Sequence, residues 1–161
     1  AFKREFNKFK YLAFQYVYLG YNLKHPFFRD KRVRQAITYA IDKKEIIDGI
    51  LLGQGVEATG PFKPDTWAYN GNVKKYGYDR EKAVSLLSEA GFTKGTDGIL
   101  ARDGKPFEFT ILLSQGNDVR IRCAELIQRR LSEIGIRVKI RVIEWASFIK
   151  IIRKWHKSEN K

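Results

Sequence analysis

At 161 residues, with 43% hydrophobic and 14% aromatic content, the chain is long and apolar enough to bury a core, which argues against disorder and for one globular unit. Lys and Arg number 31 against 18 acidic residues, a formal net charge of +13, which favours contact with anionic surfaces. One cysteine excludes an intramolecular disulfide, and no apolar run reaches the ~18 residues that a membrane-spanning helix needs.

In chain order, residues Tyr11 to Leu23 are dense in Tyr, Phe, Leu and Val and predict a strand, or a bent pair of strands, in a mostly buried sheet. Tyr16, Tyr18, Gly20 and Asn22 share one parity and hence one face. Asp30 then precedes Val33, Ala36, Ile37, Ala40 and Ile41 at three- and four-residue spacing, the mark of an N-capped amphipathic helix. Asp42 and Glu45 stand in capping-box spacing before Ile46, Ile47, Ile50 and Leu51, which predicts a second helix ended by Gly53. From Gln54 to Tyr78, glycines and prolines without sustained periodicity predict a long loop.

Asp79 is placed to cap a third helix with Ala83, Leu86, Leu87 and Ala90 inward and Gly91 at its stop. Asp97-Gly98 and Asp103-Gly104 bracket Ile99 to Arg102 as two turns. Phe107 to Leu113 and Ile136 to Ile143 read as strands. The helix between them, Asp118 to Ile134, turns Cys123, Ala124, Ile127, Leu131 and Ile134 inward. Two strands joined by such a helix predict a right-handed βαβ crossover with parallel pairing. A last helix is expected from Trp145 to Trp155, followed by a polar, frayed tail from Lys157 to Lys161.

His25 and His156 are the only histidines and Cys123 the only cysteine, so no cluster of soft ligands predicts a metal, and no cofactor is expected. Ser114 and Ser147 lack a nucleophile-elbow motif, so nothing positive supports an enzyme. The glycines between Gly53 and Gly60 follow a helix instead of a strand and lack a Gly-Lys-Ser/Thr ending, which rejects a phosphate loop. The dispersed basic residues carry no zinc-finger, RNA-recognition or basic-zipper signature, so a nucleic-acid or anionic-surface module rests on charge alone. Tyr16, Tyr18, Tyr21, Trp67, Tyr69 and Trp145 are either ordinary core or the wall of a groove tolerant of many side chains.

The run from Tyr18 to Asp42 resembles a signature of the family 5 extracellular solute-binding proteins, the dipeptide- and oligopeptide-binding subunits of ABC importers. The likeness continues through Gly53-Gln-Gly-Val-Glu-Ala-Thr-Gly-Pro-Phe62, Trp67-Ala-Tyr-Asn70, Tyr78-Asp-Arg-Glu-Lys-Ala83, Glu89-Ala-Gly-Phe92 and Ile143-Glu-Trp145. It implies an α/β fold, a mixed sheet with packed helices and a βαβ crossover, forming part of the second lobe of a type II periplasmic-binding-protein-like fold. The first lobe and the hinge would lie outside residues 1–161, and the absence of methionine fits a processed product or an excised fragment.

By the same resemblance, Tyr18 would line the ligand pocket with Tyr16 as its same-face neighbour, and Trp145 of Glu144-Trp145 would stand in the pocket wall. Gly20 occupies a position that is acidic in some oligopeptide binders, while Trp67 and Tyr69 belong to a loop that would either touch ligand or pack over the lobe. Arg32 and Arg34 would be structural, pairing with Asp30 or Asp42. The parent would be a monomeric, periplasmic or extracellular, membrane-associated protein that passes peptides to the permease subunits of an ABC transporter. Oligosaccharides or metal chelates are the alternative solutes.

Overall fold

The computed structural model describes residues 9–157, with side chains described as far as residue 154. The predicted polar tail after Lys157 lies outside the described residues. Residues 9–21 pair with no strand among the described residues, and their side chains are mostly exposed, which corrects the expected buried strand. β-Rich composition makes a strand only where a partner edge accepts its hydrogen bonds.

Helical structure begins after His25, whose Nδ1 accepts from the Phe27 amide at 3.3 Å and caps a one-turn helix, α1 (Pro26–Arg29). Proline at its first position loses no helical hydrogen bond. Asp30 caps α2 (Lys31–Ala40) by accepting from the Arg32 amide at 2.9 Å. The Arg32 guanidinium closes on the same carboxylate at 2.8 Å and holds it below the usual carboxylate range. Arg34 differs from expectation: it donates to the carbonyls of Phe28 and Arg29 and so braces α1 against α2. Val33, Ala36 and Ile37 are fully buried, and Ile37 alone contributes on the order of 2–3 kcal/mol of transfer free energy.

Asp42 caps α3 (Lys43–Glu45) through the Glu45 amide at 3.1 Å, as predicted. The chain then widens into a π-helical turn, Ile46–Ile50, where an amphipathic α-helix was expected. Glycine at position 49 weakens the α form, and Glu45 is gripped by Arg129 at 2.9 Å and Arg130 at 2.6 Å from another helix. Residues 54–78 form the predicted loop, tied at its ends. Lys43 donates to Glu57 and to the Tyr76 carbonyl, and Gln35 reaches the Tyr76 hydroxyl at 3.0 Å.

Asp79 caps α4 (Arg80–Glu89) by accepting from the Lys82 amide at 2.8 Å, and Ala83, Leu86 and Leu87 pack toward α2. A small antiparallel sheet follows in the order β1 (Thr93–Lys94), β2 (Leu100–Arg102), β3 (Lys105–Pro106). Asp103 and Gly104 both have positive φ, 54° and 68°, the hairpin turn that the Asp-Gly pair predicts.

β4 (Glu108–Ser114) and β5 (Arg137–Ile143) pair in parallel from Glu108 opposite Arg137 to Ser114 opposite Ile143, joined by α5 (Asp118–Ser132) as expected. Parallel and antiparallel pairing therefore occupy two sheets, stitched together by Phe107, whose amide donates to Leu100 and whose carbonyl accepts from Arg137. Gly135 sits where the sheets meet, and a Cβ there would stand 2.8 Å from the Gly98 carbonyl oxygen. Phe107 is fully buried, with the rings of Phe27 at 5.2 Å and Phe92 at 4.7 Å. The last helix, α6 (Trp145–Lys157), contacts β4.

Candidate functional site

From residue 18 to 21 the side chains alternate outward and inward, whereas Val17 is exposed like its neighbours. Leu19 and Tyr21 turn onto the core, and Tyr21 packs on Phe28 at 5.3 Å; burial pushes its hydroxyl up to about 12 against the opposing effects of a side-chain hydrogen bond with Thr38 and of the Arg34 charge. Tyr16 and Tyr18 turn outward with their rings 5.5 Å apart, and Tyr18 is 73% exposed. Gly20 completes this ledge: an added Cβ would lie 3.2 Å from Cε2 of Tyr18, so the bare backbone lets the ring lie close. The segment is moored to the loop side by Lys10 on the Gly53 carbonyl at 3.1 Å and by Lys63 over the Phe14 ring at 4.7 Å.

A second array stands at the carboxyl ends of β4 and β5, the edge where open α/β sheets bind ligands. The Gln115 amide donates to Ile143 at 2.8 Å and brings the β4–α5 turn beside the start of α6. Asn117 caps α5 through the Arg120 amide at 2.9 Å. Glu144 caps α6 by accepting from the amides of Ala146 at 2.8 Å and Ser147 at 3.0 Å, bonds that hold its carboxyl below the usual range. That cap fixes Trp145 at the helix start, half-exposed and stacked on Phe148 at 5.8 Å.

Trp67 is carried at 99% exposure on a turn held by the Thr66 amide to Pro64 and the Tyr69 amide to Thr66 at 3.1 Å. Tyr69 is half-buried and borders Gly71. The structure thus gathers Tyr16, Tyr18 and Gly20 into one ledge and sets Trp145 at the sheet edge. Among the described residues, no ring contact links that ledge to Trp145, Trp67 or Tyr69.

The family described as bacterial extracellular solute-binding proteins, family 5 Middle, matches residues 3–160. The chain belongs to this family. Among family 5 relatives, the oligopeptide-binding protein AppA of Bacillus subtilis is 44% identical over 142 residues, covering 86% of this chain and 26% of that protein. The structure of AppA from B. subtilis in complex with a nonapeptide superposes with a TM-score of 0.78 at 42% identity, over 81% of this chain and 27% of that one. NikZ from Campylobacter jejuni, solved in complex with Ni(L-His), gives a TM-score of 0.75 at 36% identity, over 79% and 26%. The chain therefore spans about a quarter of the length of the family 5 relatives it matches.

Two features of this family 5 chain escape reading from sequence. The turn from Ser114 to Asn117, at the sheet edge beside Trp145, carries no motif, although the predicted parallel βαβ unit already marks that edge by topology. An open groove of about 620 Å³ also runs from Trp145 along α6, lined by Ala146, Ile149, Lys150, Arg153 and Lys154. A second groove, of about 470 Å³, lies between the π turn and α5, where Glu45 and Arg129 in its lining already pair with each other.

Proposed function

We propose that this chain forms part of the second lobe of an ABC-importer solute-binding protein, which captures peptides or similar small solutes in an interlobe cleft and delivers them to a membrane permease. The reading places the parent in the periplasm or outside the cell, acting as a monomer by binding without catalysis. The observation that carries it is the outward ledge of Tyr16, Tyr18 and Gly20 in a family 5 chain that is 44% identical to AppA. Aromatic faces suit a peptide groove because they are large, stiff and indifferent to which side chain stacks on them.

Selectivity for the bound state follows from simple energetics. A peptide that touches both lobes gains contacts only when the cleft closes, and this differential contact shifts the population to the closed form. Extended peptide backbone supplies hydrogen bonds of one geometry whatever the sequence. Ni(L-His) in NikZ makes a metal chelate the competing solute class.

The test is titration calorimetry on the complete parent protein with di- to nonapeptides and with a nickel–histidine chelate. Peptides are expected to bind, with Tyr18→Ala and Trp145→Ala each weakening them about tenfold or more, the ~1.4 kcal/mol or greater typical of an aromatic anchor. A parent that binds the chelate but no peptide would overturn the peptide class, and variants that bind as tightly as wild type would remove the ledge and Trp145 from the site.

A further inference from the structure

The loop that carries Trp67 and Tyr69 runs on into Asn70-Gly71-Asn72, and all three of these residues are exposed. The Asn72 amide donates to Oδ1 of Asn70 at 2.9 Å, a side-chain turn that holds the carboxamide over the peptide that follows it. The same bond draws electron density from Cγ and is aimed at the oxygen on which negative charge would develop if Cγ were attacked. The Gly71 amide lies between the two asparagines and donates no hydrogen bond among the described residues. It is therefore open to hydroxide, and glycine leaves the nitrogen unshielded and the backbone free to turn.

We propose that Asn70 is a self-modification site, which converts in the folded protein to aspartate and isoaspartate without an enzyme. Once hydroxide has removed its proton, the Gly71 nitrogen adds to Cγ of Asn70. The Cγ–Nδ2 bond breaks, and ammonia leaves with a proton from water as a succinimide ring closes. Water then opens the ring. Cleavage between the ring nitrogen and Cγ gives aspartate; cleavage between that nitrogen and the main-chain carbonyl carbon gives isoaspartate, whose backbone runs through the side chain. The net change is carboxamide and water to carboxylate and ammonium, so no oxidant, reductant or cofactor enters.

The other candidates among the described residues each lack part of this arrangement. At Asp97-Gly98 the turn is the same, with the Ile99 amide on Oδ1 at 3.1 Å, but the Gly98 amide is held by the Gly95 carbonyl at 3.0 Å. Every Asp-Gly pair also presents a carboxylate, a poorer electrophile than a carboxamide. Asn22, Asn72 and Asn117 precede Leu23, Val73 and Asp118, whose side chains crowd the attacking nitrogen, and Asn117 is committed to capping α5.

The product would alter the support of a candidate site residue. An added Cβ at Gly71 would lie 3.3 Å from Cε1 of Tyr69, so this ring rests against the residue whose linkage changes. Isoaspartate adds a methylene to the main chain between them, and either product adds a negative charge. None of this depends on what the parent protein binds.

The experiment incubates the folded parent protein at about pH 7 and about pH 9, then follows the tryptic peptide ending at Lys74 by tandem mass spectrometry beside an unincubated control. Asn70 is expected to gain roughly 1 Da, in two products of which one is methylated by an isoaspartyl methyltransferase. The rate should rise at least about threefold at the higher pH, with Asn22, Asn72 and Asn117 about tenfold slower or more. Gly71 has no positive φ, so Gly71→Ala fits the backbone; it should slow Asn70 about tenfold with an unchanged circular dichroism spectrum. Conversion at Asn70 no faster than at the other asparagines, or a rate that Gly71→Ala leaves unchanged, overturns the proposal. Conversion in a synthetic peptide of residues 64–74 but not in the folded protein overturns it too, because the fold would then protect Asn70.

Discussion

Truncating Phe107 to alanine should test the architecture most severely. Phe107 is fully buried where the two sheets meet, and its ring is flanked by Phe27 at 5.2 Å, Phe28 at 6.4 Å, Phe92 at 4.7 Å and Phe109 at 6.0 Å. Removing the ring withdraws roughly 170 Å² of apolar burial, about 4 kcal/mol at ~25 cal/mol per Å². The surrounding rings belong to different elements and cannot all collapse inward, so the loss should fall within the ~3–5 kcal/mol range of buried Phe→Ala changes. Alanine keeps the amide bond to Leu100 and the carbonyl bond from Arg137, so the effect isolates the side chain. In urea unfolding followed by circular dichroism, a slope of ~2 kcal/mol per molar predicts a midpoint about 2 M lower. Phe107→Leu, which preserves most of the volume, should cost less than ~1.5 kcal/mol. A loss below about 1 kcal/mol for Phe107→Ala would refute this packing.

Asp79→Ala should destabilise the chain by about 1 kcal/mol, because the Lys82 amide loses the carboxylate that caps it at 2.8 Å; Asp79→Asn should recover most of this in thermal melts. His25 is held below the usual histidine range by burial, and its neutral Nδ1 accepts from Phe27. The unfolded state therefore binds the proton first, so this contribution is intact above pH ~6.5 and is lost as pH falls below that value. Comparing denaturation at pH 7.5 and 5.5 for wild type and His25→Asn checks it, since the variant should lose less stability on acidification. Equal pH slopes for the two proteins would reject the assignment.

Local physics made much of the fold legible. Asp30, Asp42 and Asp79 announce their helices because capping needs only a carboxylate within three residues of a free amide. The parallel β4–α5–β5 unit is equally readable, since period-2 and period-3.6 runs follow one another directly. Residues 11–23 misled because β propensity reports side-chain fit, while a strand also needs a partner edge that composition cannot reveal. The π turn at Ile46–Ile50 depends on a shift in hydrogen-bond register and on Arg129 and Arg130 more than 80 residues away, and neither leaves a periodic trace. At the candidate site, the shared parity of Tyr16, Tyr18 and Gly20 was readable, but not that Val17 between the two tyrosines is exposed as well. The cationic groove was not, because it depends on which side of α6 the fold leaves open.

The parallel pair has a consequence for how the protein behaves in solution. Among the described residues, β4 hydrogen-bonds only to β5, so each strand keeps one flank of amides and carbonyls available to another copy. Along β5 the exposed residues are Arg137, Lys139, Arg141 and Val142; Arg137 pairs with Asp97 and Glu108 and Lys139 with Glu108, which leaves the three basic residues in net excess over the two carboxylates. Copies approaching edge to edge meet like charge, reinforced by the +13 of the chain as a whole. Self-association along this edge is opposed by electrostatic repulsion, whose range contracts to ~3 Å in molar salt, so it should rise with ionic strength.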